Sequence, residues 1–102
     1  MYTYVRYIVL SDAFADEFLV FADTVQQDLY KFSLRKREYT KLGIPRIKNP
    51  IGVAHDVMAG KLYWSDVELA AIMRSNFDGS HPKTVLRLPE SNLALFTFTN
   101  YK

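Results

Sequence analysis

The chain has 102 residues, 49% hydrophobic and 15% aromatic, enough apolar material for one small folded domain and too much for a disordered chain. Its net charge of +2, with 13 basic residues not gathered into a field, gives no reason to expect nucleic acid. It has no cysteine, which excludes disulfides, a thiolate nucleophile and thiolate metal ligands.

Residues 2–10 are rich in Tyr, Val and Ile and suit a strand. Residues 11–17 read as a connector, so 1–16 stays open between a strand and an unrelated leader. Arg6 interrupts the opening apolar run, which makes a poor signal peptide. No apolar run is long enough for a membrane-crossing helix. Glu17 to Ala22 is a nearly continuous apolar strand, the pattern of a strand covered on both faces. Thr24 to Gln27 turns, Asp28 to Leu34 alternates, Arg35-Lys36-Arg37 is a solvated hairpin tip, and Glu38 to Leu42 is an outer strand. Gly43 to Pro50 crosses to a second unit, with Pro45 and Pro50 outside any central strand. The second unit repeats the plan. Ile51 to Asp56 is an inner strand, Met58-Ala59-Gly60 turns, and Lys61 to Ser65 is the second strand. Val67 to Ala70 connects to Ala71 to Phe77, Asp78-Gly79 signals a hairpin, and Lys83 to Leu88 is the fourth strand. Leu93 to Phe98 suits the opening strand of a further unit.

The two units align without a gap at an offset of 43 residues. Leu19 falls on Leu62, Val20 on Tyr63, Phe21 on Trp64, Ala22 on Ser65 and Asp23 on Asp66. Further on, Leu29 falls on Ile72, Tyr30 on Met73, Lys31 on Arg74, Leu34 on Phe77 and Leu42 on Val85. A period in the low forties is what four short strands and their turns require.

Gly60-Lys61-Leu62-Tyr63-Trp64-Ser65-Asp66 holds the only tryptophan, and Ile72-Met73-Arg74 and Asp78-Gly79 follow. Together these residues resemble one blade of the YWTD β-propeller, the class B repeat of the low-density lipoprotein receptor family. Ser65 stands in the Thr place. The resemblance is specific over 49–88 and weaker over 17–48. It implies an all-β fold of antiparallel four-stranded blades. A partial blade is expected over 17–48, a complete one over 49–88, and the first strand of another over 89–102. A six-bladed propeller is implied, of which this chain would be a piece with open blade edges able to self-associate. His55 and Val57 depart from the family's usual residues beside Asp56.

The chemistry-bearing residues read first as scaffold. Tyr63 and Trp64 are expected to pack blade on blade. Asp66 and its repeat equivalent Asp23 stand at strand ends, where a carboxylate accepts backbone N–H bonds or pairs with a base. Arg74 and Lys31 recur beside them, so an Asp66–Arg74 bridge between strands is one expectation. Asp56 reads as a hydrogen-bonding strand end. His55 is the one candidate for a pH-sensitive group, and His81 is expected in solvent. No catalytic triad spacing, phosphate loop or metal motif is present, and no cofactor is expected. The resemblance implies a non-enzymatic protein-binding or scaffold module. Its setting would be an extracellular or cell-surface receptor, with a protein ligand or EGF-like modules as partners and no membrane insertion by this segment. It singles out no ligand-binding residue. The alternative is part of a lactonase-type propeller hydrolase, for which Asp56 and Asn49 are the local candidates. A WD-repeat propeller is weakened by the lack of a Gly-His start and a Trp-Asp pair.

Overall fold

A computed structural model of the chain describes residues 4–11 and 14–88, with side chains from Asp16 to Leu88. These residues form eight strands in two antiparallel four-stranded meanders. The first sheet runs β1 (Tyr4–Ser11), β2 (Phe14–Asp23), β3 (Asp28–Ser33) and β4 (Glu38–Lys41). The second runs β5 (Pro50–Asp56), β6 (Lys61–Asp66), β7 (Ala71–Asn76) and β8 (Lys83–Arg87). Each strand pairs with its chain neighbour, so local turns set the topology.

Four of those turns share one device. The turns at 24–27, 34–37, 57–60 and 67–70 each end on a residue with positive φ: Gln27, Arg37, Gly60 and Ala70. A left-handed last residue lets a four-residue turn return the chain into an antiparallel ladder.

Alternation decides which side chains meet between the sheets. Ala22 pairs with Leu29, so Val20, Ala22 and Leu29 share one face of the first sheet. Val53 pairs with Trp64, so Val53, Leu62 and Trp64 share one face of the second. These two faces form the core, joined by Ile44 from the crossing segment; Phe18, Leu42, Ile47, Met73 and Phe77 close its margins. Trp64, Leu62, Leu29 and Val20 are buried almost completely. The sheets approach along β1, β2 and β5, whereas β4 and β8 are solvent-exposed throughout.

One expected boundary changes. Residues 4–11 form β1 and 14–16 open β2, so the first sheet has four strands where a partial blade over 17–48 was expected. The reason lies in register. Tyr4 faces Phe21 as Val53 faces Trp64, an offset of 49 where the other strands keep 43. β1 and β2 stay paired out to Ser11 and Phe14, whereas the β5–β6 ladder ends at Asp56 and Lys61. The strand expected at 93–98 lies outside the described residues.

Gly79 locks the second sheet to the crossing. Its φ is +88°, and a Cβ there would lie 3.2 Å from both Cβ and O of Leu42 and 3.4 Å from Cγ1 of Ile44. Backbone conformation and space both favour glycine, so Gly79→Ala should lower stability by about 1–3 kcal/mol. Ala70→Gly, at a left-handed site, should raise it by up to ~1 kcal/mol. Urea unfolding of the two variants tests both signs.

Candidate functional site

The carboxylate that ends β6 organises the link between the sheets. Asp66 is fully buried. Its Oδ2 accepts the Lys48 N–H at 2.8 Å and the Asn49 N–H at 3.1 Å. Its Oδ1 accepts the N–H groups of Asn49 at 3.1 Å, Glu68 at 3.1 Å and Leu69 at 3.0 Å. Four backbone donors thus surround one carboxyl group, so its buried oxygens are fully partnered. The group holds the β6–β7 turn and the end of the crossing together.

A second buried carboxylate holds the crossing's other end. Asp28, 2% exposed, accepts the Gly43 N–H at 3.0 Å and the Ile44 N–H at 3.3 Å, besides that of Leu29 at 2.7 Å. Sequence reasoning missed Asp28 because its repeat position holds Ala71. It has no counterpart that would mark it.

Asp23, the repeat equivalent of Asp66, does only half the work. It accepts the N–H groups of Val25 at 2.9 Å and Gln26 at 3.0 Å, the counterparts of Glu68 and Leu69. Ser65, in the Thr place, is also buried, and its Oγ accepts the Gly52 N–H at 2.9 Å. That bond serves an amide at the register shift between Pro50 and Val53.

The expected Asp66–Arg74 bridge is not formed. Arg74 pairs across the ladder from Tyr63, and its guanidinium lies 6.0 Å from that ring's centroid. Ala71, not Arg74, faces Asp66. In the first sheet, Lys31 lies 5.0 Å over the Phe18 ring. The recurring base therefore meets an aromatic ring, where the quadrupole attracts it. Trp64 enters the core, whereas Tyr63 points to the opposite face and is half-buried. Ile72 is half-buried on that same face.

Asp56 is exposed and accepts the Ala59 N–H at 3.2 Å. His55 is half-buried on β5, and His81 is exposed in the β7–β8 turn. Asn49 precedes β5 and Asp56 ends it, which separates the two hydrolase candidates by about 20 Å. Among the described residues, no three His, Asp or Glu side chains are grouped to hold a metal. A cleft of ≈ 260 Å³ lies along Asp16, Phe18, Lys31, Ser33, Lys36 and Glu38. Within it Ser33 donates its hydroxyl to Asp16 at 2.9 Å and accepts the Lys36 N–H of the β3–β4 turn at 3.1 Å.

Asp78 titrates below the ordinary Asp range because the Ser80 hydroxyl and then the Ser80 N–H donate to it. A lowered folded-state pKa adds stability above the unfolded value, and that stability is lost as pH falls through the folded value. Ser80→Ala should move the Asp78 titration upward, as followed by carboxyl NMR, and shrink the loss of stability on acidification. Asp66→Asn should cost about 3 kcal/mol or more, because an NH₂ would replace an oxygen that faces N–H donors. Asp23→Ala should cost only ~1 kcal/mol. Denaturant unfolding separates the two.

Residues 60–88, from the last residue of the β5–β6 turn to just past β8, match the model of the low-density lipoprotein receptor repeat class B. Human low-density lipoprotein receptor-related protein 4 is 34% identical over 74 residues, covering 70% of this chain and 4% of that protein. Human low-density lipoprotein receptor-related protein 5 is also 34% identical, over 71% of this chain and 4% of its own length. This chain therefore spans a small part of the relatives it matches. Among solved structures, a chain of a nidogen/laminin complex superposes with a TM-score of 0.64 at 22% identity, over 68% of this chain and 26% of that one. The sheets, the Tyr-Trp-Ser-Asp strand and these matches lead to one conclusion: the chain carries a low-density lipoprotein receptor class B (YWTD) repeat in a propeller-type pair of β-sheets.

Proposed function

We propose that the chain is a non-enzymatic protein-binding or scaffold module of an extracellular, receptor-type propeller. The observation that carries this reading is the class B repeat over 60–88 whose chemically able residues are committed to the backbone. Asp66 is enclosed by four N–H groups, and Ser65 is buried against Gly52. Neither is offered to a substrate. The relatives are receptor-related proteins, and the similar fold was solved in a protein–protein complex. Protein partners, whether a ligand or adjoining EGF-like modules, fit that company.

The β5–β6 turn is the contact surface this reading favours. Met58 is 98% exposed and Val57 55% exposed at its tip. Apolar side chains held out on a short rigid turn lose little entropy when a partner covers them. The hydrolase alternative finds no support in the distance between Asn49 and Asp56.

The test is binding of fluorescently labelled chain to intact cells and secreted matrix, run beside a lactone-hydrolysis assay with calcium. Binding should saturate and disappear when the surface is trypsin-treated. It should also fall about tenfold in a Val57→Asp/Met58→Asp variant whose melting is unchanged, a loss near 1.4 kcal/mol. Lactone turnover that depends on Asp56 would overturn the reading.

A further inference from the structure

The packing between the two sheets has a repeat logic that extends beyond the chain. The face of the first sheet inside the core carries Val20, Ala22 and Leu29. At the offset of 43 these correspond to Tyr63, Ser65 and Ile72, which lie on the outer face of the second sheet. The face of the second sheet inside the core carries Leu62, Trp64 and Met73. Their counterparts Leu19, Phe21 and Tyr30 lie on the outer face of the first sheet. The chain therefore holds both halves of its own interface a second time, one on each outer face. Among the described residues no strand packs against either face.

The outer face of the first sheet is aromatic. Phe21 stacks on Tyr30 with centroids 5.8 Å apart, Tyr30 meets Tyr39 edge-on at 6.2 Å, and Phe32 lies 6.4 Å from Tyr39. Tyr39 is 67% exposed. The opposite outer face carries Arg74 over Tyr63, at the position that Lys31 holds over Phe18 on the inner face. A guanidinium on one face and aromatic rings on the other are chemically complementary. One such face cannot pair with itself as the repeat dictates; it needs the other.

We propose that a second copy of this chain docks the outer face of its second sheet (Tyr63, Ile72, Arg74) onto the outer face of the first sheet (Leu19, Phe21, Tyr30), reproducing between chains the packing within the chain. The contact is head-to-tail, so a pair of copies leaves one face of each kind free for further copies. It uses sheet faces, not the exposed edges of β4 and β8. It rests on the sheet packing and not on the receptor reading, so either can fail alone.

The test is light scattering behind size exclusion on the full chain and on two variants, Tyr30→Glu and Ile72→Glu, each checked for a cooperative melt. Arg74→Glu replaces Ile72→Glu if that variant fails to fold. The wild type should grow in mass with concentration, and each variant alone should be a monomer. An equal mixture of the two should form a species of twice the monomer mass, because each supplies the face the other lacks. A wild type that stays monomeric, a variant that still assembles alone, or a mixture that stays monomeric overturns the proposal.

Discussion

Two buried carboxylates carry the connection on which the sheet pair depends. The crossing from β4 to β5 is irregular backbone beside a hydrophobic core, so its amides need partners that no ladder supplies. Asp28 takes Gly43 and Ile44, and Asp66 takes Lys48 and Asn49. Between these grips the chain turns outward through exposed Pro45 and Arg46, the latter at φ 65°. Ile44 is thereby held in the core, where it meets the faces of both sheets. A buried carboxylate without partners would be costly, but here both oxygens of each group accept backbone N–H bonds.

The same logic separates scaffold from surface. Trp64, Ser65 and Asp66 are consecutive and all buried, yet they serve three purposes. Trp64 fills the core, Ser65 serves the amide at a register shift, and Asp66 joins a turn to the crossing. The Trp64 Nε1 is buried without a hydrogen-bond partner among the described residues. An unmade bond of that kind costs about 1–3 kcal/mol, which burial of a large aromatic surface offsets. These three side chains are thereby spent inside the structure and not offered at its surface.

Much of this was legible in the sequence because the fold is repetitive and local. The offset of 43 exposed β2–β4 and β6–β8. The strand that became β1 was legible in its Tyr, Val and Ile, but its place in the first sheet was not, because its ladder with β2 runs further than that of β5 with β6, which breaks the period. The scaffold role of Asp66 could be argued from its recurrence, but its partners could not. Side-chain type made Arg74 the natural partner, while the geometry supplied backbone amides. Asp28 was invisible because a carboxylate used once leaves no pattern. Left-handed turn ends were visible only at Gly60, since Gln27, Arg37 and Ala70 adopt the same conformation without the residue that advertises it.

The most direct test of this account is amide hydrogen exchange at the crossing, read residue by residue by NMR. The N–H groups of Gly43, Ile44, Lys48 and Asn49 should exchange as slowly as those in the β6–β7 ladder, with exposed Arg46 fast between them. Such protection in a segment without secondary structure follows only if the buried carboxylates hold it. Fast exchange at Lys48 and Asn49, with the β6–β7 ladder still protected, would contradict the claim that Asp66 clamps the two sheets together.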